Sequence, residues 1–123
     1  MKMKWLGSLL LASVLASAVA GCRWSRDEDH TPPAGMGSIM VRNNTGDDID
    51  VYLNGTATSN RADYSSTTPY DLQPGTYRVA LSEHNGYRSY AGFVDVLVGR
   101  LTFMDVTVDF SDRFAYDVVI FFN

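Results

Sequence analysis

Few residues of this chain are equipped for chemistry. Its 123 residues include one cysteine, Cys22, and two histidines, His30 and His84. A thiol can be acylated, oxidised or metallated, but a lone cysteine cannot close an internal disulfide. Neither histidine has another histidine or a usable cysteine near it in the sequence, so a zinc site fails on ligand count. Asp47, Asp48 and Asp50, beside Asn43 and Asn44, offer the oxygen ligands that Ca²⁺ takes. Their spacing departs from an EF-hand loop and Asp50 alternates out of phase with Asp47, so solvated turn acids are the simpler reading. A nucleophilic triad through His84 would need a serine or threonine and a carboxylate to converge on it in space, and serines abound in any such sequence. No glycine-rich phosphate loop joins a strand to a helix. The reading is of a chain that is not an enzyme and takes no cofactor. Tyr52, Tyr64, Tyr70, Tyr87 and Tyr90, with Arg61 and Arg88, supply amphipathic area and planar donors suited to interfaces. Tyr87, Arg88 and Tyr90 form the candidate interaction patch. The competing reading is that several of these rings fill the core or cap its edges.

The position of Cys22 is informative. Lys2 and Lys4 open the chain, Trp5 to Ala20 is uncharged and apolar, and charge returns immediately after the cysteine with Arg23, Arg26 and Asp27. This is the pattern of a secretory signal, and the apolar run falls short of the roughly 20 residues that a spanning helix needs. Val19-Ala20-Gly21-Cys22 resembles the lipobox of bacterial lipoproteins: an aliphatic residue, two small ones and the cysteine. The resemblance implies that residues 1–21 are a cleaved signal peptide. It also implies that Cys22 carries a diacylglyceryl group and a further acyl chain, which anchor the protein to a membrane of the cell envelope. Each buried CH₂ adds about 0.8 kcal/mol, so two or three chains hold effectively permanently. In enterobacteria-like lipoprotein sorting an Asp after the cysteine retains the protein in the inner membrane; Arg23 stands there instead, so the resemblance implies the outer membrane over the inner.

Removing residues 1–21 would take both lysines and leave eight arginines against fourteen aspartates and glutamates, a net charge of −6. An acidic surface without a basic stripe repels phosphate backbones, so nucleic acid is not an expected partner. The same charge disfavours an electrostatic hold on anionic lipid, leaving the membrane to Cys22. Residues 22–37 mix charges with Pro32-Pro33, Gly35 and Gly37, too polar to offset ordering entropy, and read as a flexible tether.

From Ser38 to Asn123 the pattern changes to the two-residue alternation of half-buried strands. Ile49, Val51 and Leu53 alternate with Asp50, Tyr52 and Asn54; Tyr77, Val79 and Leu81 alternate with Thr76, Arg78 and Ala80; Met104, Val106, Val108 and Phe110 alternate with Asp105, Thr107 and Asp109. Asn54-Gly55, Pro74-Gly75, Asn85-Gly86 and Val98-Gly99-Arg100 mark turns. The expected fold is all-β: a single antiparallel sandwich of about seven strands, since one-sided alternation needs a second sheet to cover it. The closing segment, Tyr116 to Asn123, is the most apolar and has only Asp117 as a gatekeeper. It is expected to pair on both sides or to be covered on both faces.

Thr68-Pro69-Tyr70-Asp71-Leu72-Gln73-Pro74-Gly75-Thr76-Tyr77-Arg78-Val79, followed by Asn85-Gly86-Tyr87 and the Val94/Val96/Val98 strand, resembles the PEGA-type domain of bacterial surface proteins. Val51 to Gly55 fits that family's opening "vyvdG" position, and the likeness spans roughly Gly37 to Val108. Pro74-Gly75-Thr76-Tyr77 stands where the family's namesake sequence has an acidic residue after the proline, and Thr56 to Ser66 is a long insert. The resemblance implies a transthyretin-like sandwich and no catalytic residues. The expected role is a lipid-anchored, non-enzymatic module for an envelope protein, glycan or peptidoglycan partner. An inhibitor whose Thr56 to Ser66 loop enters a partner's cleft is the alternative, and a small hydrolase the third.

Overall fold

Alternation decides which side of each strand is buried, and turn residues decide where each strand stops. In the computed structural model residues 30–123 are described, and their eight elements are all strands. They are β1 (Gly37–Asn43), β2 (Ile49–Leu53), β3 (Thr56–Ala57), β4 (Ser66–Leu72), β5 (Gly75–Glu83), β6 (Ser89–Val96), β7 (Leu101–Val108) and β8 (Tyr116–Phe122). The expected signal peptide, Cys22 and the expected tether as far as Asp29 lie outside the described residues. The first strand starts at Gly37, one residue ahead of the expected Ser38.

The strands form two four-stranded sheets, ordered β4-β1-β7-β8 and β3-β2-β5-β6. Ile39, Val41, Met104 and Val106 of the first sheet share one buried cluster with Val51, Val79, Leu81 and Val94 of the second, so the sheets pack face to face. Asn54 and Gly55 both have positive φ, 51° and 84°, and Leu53 pairs with Thr56 across them. That is the two-residue hairpin turn the Asn-Gly pair favours.

Three expectations are corrected. The sandwich is not wholly antiparallel, because β1 and β7 run parallel, with Met40 opposite Phe103. Alternation is blind to strand direction, so the sequence carried no sign of this. Phe110 does not continue the inward face of β7; the strand stops at Val108 and Phe110 is 95% exposed. Likewise β6 ends at Val96, leaving Val98 in an exposed turn.

The closing segment differs most from expectation. Among the described strands β8 is the edge of its sheet and pairs with β7 only. Val118 and Ile120 pack on the core, while Val119 is 58% exposed on the opposite face. On that face Phe121 stacks on Phe103, with centroids 5.2 Å apart and planes 7° from parallel, and the Arg42 guanidinium lies 4.9 Å from the Phe103 centroid. Cation and rings partly cover this outward face, where pairing on both sides or cover on both faces was expected. Met40, Leu101 and Phe103 form a second, smaller buried cluster on this side of the sheet.

The chain enters the sandwich through a tight contact. Gly99 N–H donates to the Met36 carbonyl at 2.8 Å, which draws the 97–100 turn over Gly37. A Cβ at Gly37 would collide with the Leu97 carbonyl oxygen and press on the Val96 side chain. Backbone cannot yield as a flexible side chain can, so Gly37→Ala is expected to destabilise by about 1–3 kcal/mol, the cost of overpacking. Urea unfolding measures this, and an unchanged midpoint would refute it.

Candidate functional site

At the far end of β1 the backbone stops pairing and a side chain takes over. Asn43 is fully buried, and its Nδ2 donates to the carbonyls of Asp47 and Ala62, each at 2.9 Å. Its Oδ1 accepts from Thr45 N–H at 3.0 Å and from the Thr45 hydroxyl at 2.6 Å. The buried amide therefore has all its groups satisfied, as burial demands. Asn43-Asn44-Thr45 also spells a glycosylation sequon, but here it is a turn whose first side chain is spent inside the protein.

The acidic cluster lies on this turn. Asp47 Oδ1 accepts from Asp48 N–H at 2.8 Å and its Oδ2 from Asn85 N–H at 3.1 Å. Asp48 Oδ1 accepts from Tyr64 N–H at 3.0 Å. Asp50 faces Arg61 Nε at 2.9 Å and His84 Nδ1 at 3.1 Å. The hydrogen bond from Arg61 holds the Asp50 carboxyl below the ordinary carboxylate value, and His84 adds to the effect. The three carboxylates thus turn to separate partners rather than to one point. Among the described residues no group of His, Cys, Asp or Glu is placed to hold a metal ion.

The long insert is a folded part of the sandwich. Ala62 is fully buried and bridges Ile49, the Thr58 hydroxyl donates to the Val51 carbonyl at 2.9 Å, and the Tyr70 hydroxyl donates to the Asn60 carbonyl at 2.7 Å. A loop held at these points is poorly suited to plugging a partner's cleft. It walls a polar hollow of about 560 Å³ lined by Asp50, Tyr52, Thr58, Arg61 and Asp63.

The candidate patch is redistributed. Tyr87, in the turn between β5 and β6, is 82% exposed. Tyr90, three residues on, leans against the core. Arg88 Nη1 donates to three carbonyls of the 109–115 loop: Asp109 at 3.1 Å, Asp112 at 2.9 Å and Ala115 at 2.9 Å. It is a pin that fixes that loop beside the Tyr87 turn. The pinned loop supplies residues that the sequence reading did not single out. Phe114, 55% exposed, meets Tyr87 edge-on at 6.5 Å, and the Arg113 guanidinium lies 5.3 Å from the Phe114 centroid. These side chains, with Glu83, Asn85 and Gly86, line a hollow of about 660 Å³. The available signal was Phe114, an aromatic residue in the polar segment Ser111 to Ala115, outside any alternating run.

Comparison with known proteins adds the fold. No protein-family model matches the chain, and no curated protein matches it. Among solved structures, the C-terminal domain of AlgF from P. aeruginosa is similar, with a TM-score of 0.58 and 15% identity. The match covers 72% of this chain and 99% of that one. The two share an all-β sandwich architecture, and at this identity the likeness shows the fold alone.

Two outcomes follow from this geometry. Arg88→Ala leaves three carbonyls without their donor and is expected to cost about 1–3 kcal/mol while raising hydrogen exchange in 109–115; unchanged exchange there would remove the pin. Burial lifts the Tyr70 phenol to about 12, the Thr58 hydroxyl pulling slightly the other way. A folded value above the unfolded one near 10 means stability is intact below about pH 10 and falls as pH rises towards 12. Tyr70→Phe should flatten that alkaline fall, and an unaltered pH profile of the melting temperature would refute the assignment.

Proposed function

We propose that the protein is a lipid-anchored, non-enzymatic binding module of the bacterial cell envelope, held by acyl chains on Cys22 and presenting the Tyr87–Phe114 hollow to a glycan such as a peptidoglycan fragment. In this reading residues 1–21 are a cleaved signal, residues 22–37 a tether, and the outer membrane the anchoring site. The sandwich is of the transthyretin-like, PEGA-like kind.

The observation that carries the binding role is the exposure of two aromatic rings, edge to face, on loops locked together by Arg88. Exposed aromatics need a reason on an acidic chain, and pinned ones lose little entropy on binding. A sugar ring offers an apolar face to Tyr87 or Phe114 and hydroxyls to Glu83, Asn85 and Arg113. A hollow of about 660 Å³ is within the range of small-ligand sites. Chain polarity supports the anchoring geometry: β1 begins at the entry turn and ends beside the site, so its seven residues separate the two by roughly 20 Å. The chain therefore enters the sandwich at Gly37, at the end of β1 opposite the hollow.

Two measurements test the halves of this reading. Mass spectrometry of the amino-terminal peptide should find acylated Cys22, and an unmodified Cys22 or a cut elsewhere sinks the anchor. Titration with soluble muropeptides should shift the Tyr87 and Phe114 resonances saturably. Tyr87→Ala and Phe114→Ala should each weaken binding about tenfold or more, about 1.4 kcal/mol, at unchanged melting temperature. Muropeptide binding indifferent to both substitutions, or no binding, removes the hollow as a glycan site.

A further inference from the structure

Four strands end the two sheets: β4 and β8 in one, β3 and β6 in the other. An open edge offers its N–H and C=O groups to any other strand, and proteins blunt such edges with proline, charge, glycine or brevity. β4 carries Pro69 and Asp71, β3 has two residues, and β6 carries Gly92 and Asp95. β8 lacks these devices beyond Asp117, and Val118-Val119-Ile120-Phe121-Phe122 runs uninterrupted.

The hydrogen-bonding phase of β8 is set by β7. Asn123 N–H donates to the Leu101 carbonyl at 2.9 Å. In an antiparallel pair alternate residues point their backbone groups the same way, so Asp117, Val119 and Phe121 also turn towards β7. Val118, Ile120 and Phe122 turn theirs to the open side. The start of the edge is already taken: Ser89 and Ala115 form a parallel bridge, with Ser89 N–H donating to the Phe114 carbonyl at 3.1 Å.

We propose that β8 pairs antiparallel with β8 of a second copy of this chain, about a two-fold axis at Ile120. This register sets Val118 opposite Phe122 of the second copy and Ile120 opposite itself. All three open residues then exchange their bonds with a counterpart, and none is driven against Ser89. Centring the pair on Val119 instead would bring Phe122 of the second copy opposite Tyr116, where β6 already lies. The Ile120 register is also self-complementary in its side chains. Asp117 falls opposite Asn123, beside Arg100, whose Nε donates to the Asn123 carbonyl at 3.0 Å. The strand's one carboxylate meets a carboxamide and a guanidinium at each end. Val119 falls opposite Phe121, so the outward apolar row is covered as well. Such pairing is isologous and closes at two copies.

Disulfide cross-linking in lysates of cells expressing the full chain tests it. In a hydrogen-bonded antiparallel pair the facing Cα atoms lie about 5.5 Å apart, within disulfide reach. Ile120→Cys should therefore give an oxidant-dependent homodimer, whereas Val118→Cys and the unsubstituted chain, with Cys22 alone, should not. Because Ile120 touches the core, a second arrangement uses outward positions: differently tagged chains bearing Val119→Cys and Phe121→Cys should cross-link when co-expressed and not singly. A homodimer from either arrangement, with the controls silent, supports the proposal. It is overturned by silence of both, by a Val118→Cys band as strong as that of Ile120→Cys, or by capture of a protein of different mass.

Discussion

The satisfied amide of Asn43 is the constraint on which this end of the sandwich depends. A buried carboxamide must find partners for two donors and a carbonyl, or pay the cost of desolvation. Asn43 finds them in the Asp47 and Ala62 carbonyls and in Thr45. Satisfying one side chain thereby fixes the β1–β2 turn and the insert relative to β1. Ser65 N–H adds a bond to the Asn43 carbonyl at 2.9 Å, so both halves of this residue hold the same loop. Asp47, placed by that turn, then takes Asn85 and carries the order into the β5–β6 hairpin. Arg88 takes it on to the 109–115 loop. A chain of polar contacts, each locally satisfied, positions loops that have little apolar area of their own.

The two faces of the first sheet are stabilised differently. Inward, Ile39, Val41, Met104 and Val106 are excluded from water by the second sheet, with Val79 and Leu81 opposite them. Outward, no second layer comes from the described strands, and the stack of Phe103, Phe121 and Arg42 takes its place. Asp105 holds Arg42 at 3.6 Å, so the guanidinium is positioned from one side by charge and from the other by the rings. An exposed ion pair contributes little by itself; here it helps orient a cation whose planar face covers apolar area.

Strand positions and inward residues were legible because the alternation of Ile49/Val51 and Val79/Leu81 survives any arrangement that buries one face. The Asn54-Gly55 hairpin was legible because its backbone requires positive φ. Strand direction was not, since period-2 patterning reads the same in parallel and antiparallel partners. Phe110 was misplaced because alternation gives no sign of where hydrogen bonding stops, and the turn acid Asp109 sits in the expected phase. At the site, Tyr87 was visible as an aromatic in a turn. The roles of Arg88 and Phe114 depend on contacts across 21 or more residues of chain, as between Arg88 and Asp109, and composition carries no record of those.

Strand direction, illegible in the sequence, is what assembles the site. β1 and β5 both end at the side of the sandwich that carries Asp47 and the Tyr87 turn. Because β7 runs parallel to β1, its own end arrives at that same side and delivers the 109–115 loop to Arg88. An antiparallel β7 in the same sheet position would release the loop beside Gly37 instead. Phe114 would then lie about one strand length, roughly 20 Å, from Tyr87. No reach of an arginine spans that gap. The parallel pairing of β1 with β7 is therefore a requirement of the aromatic hollow.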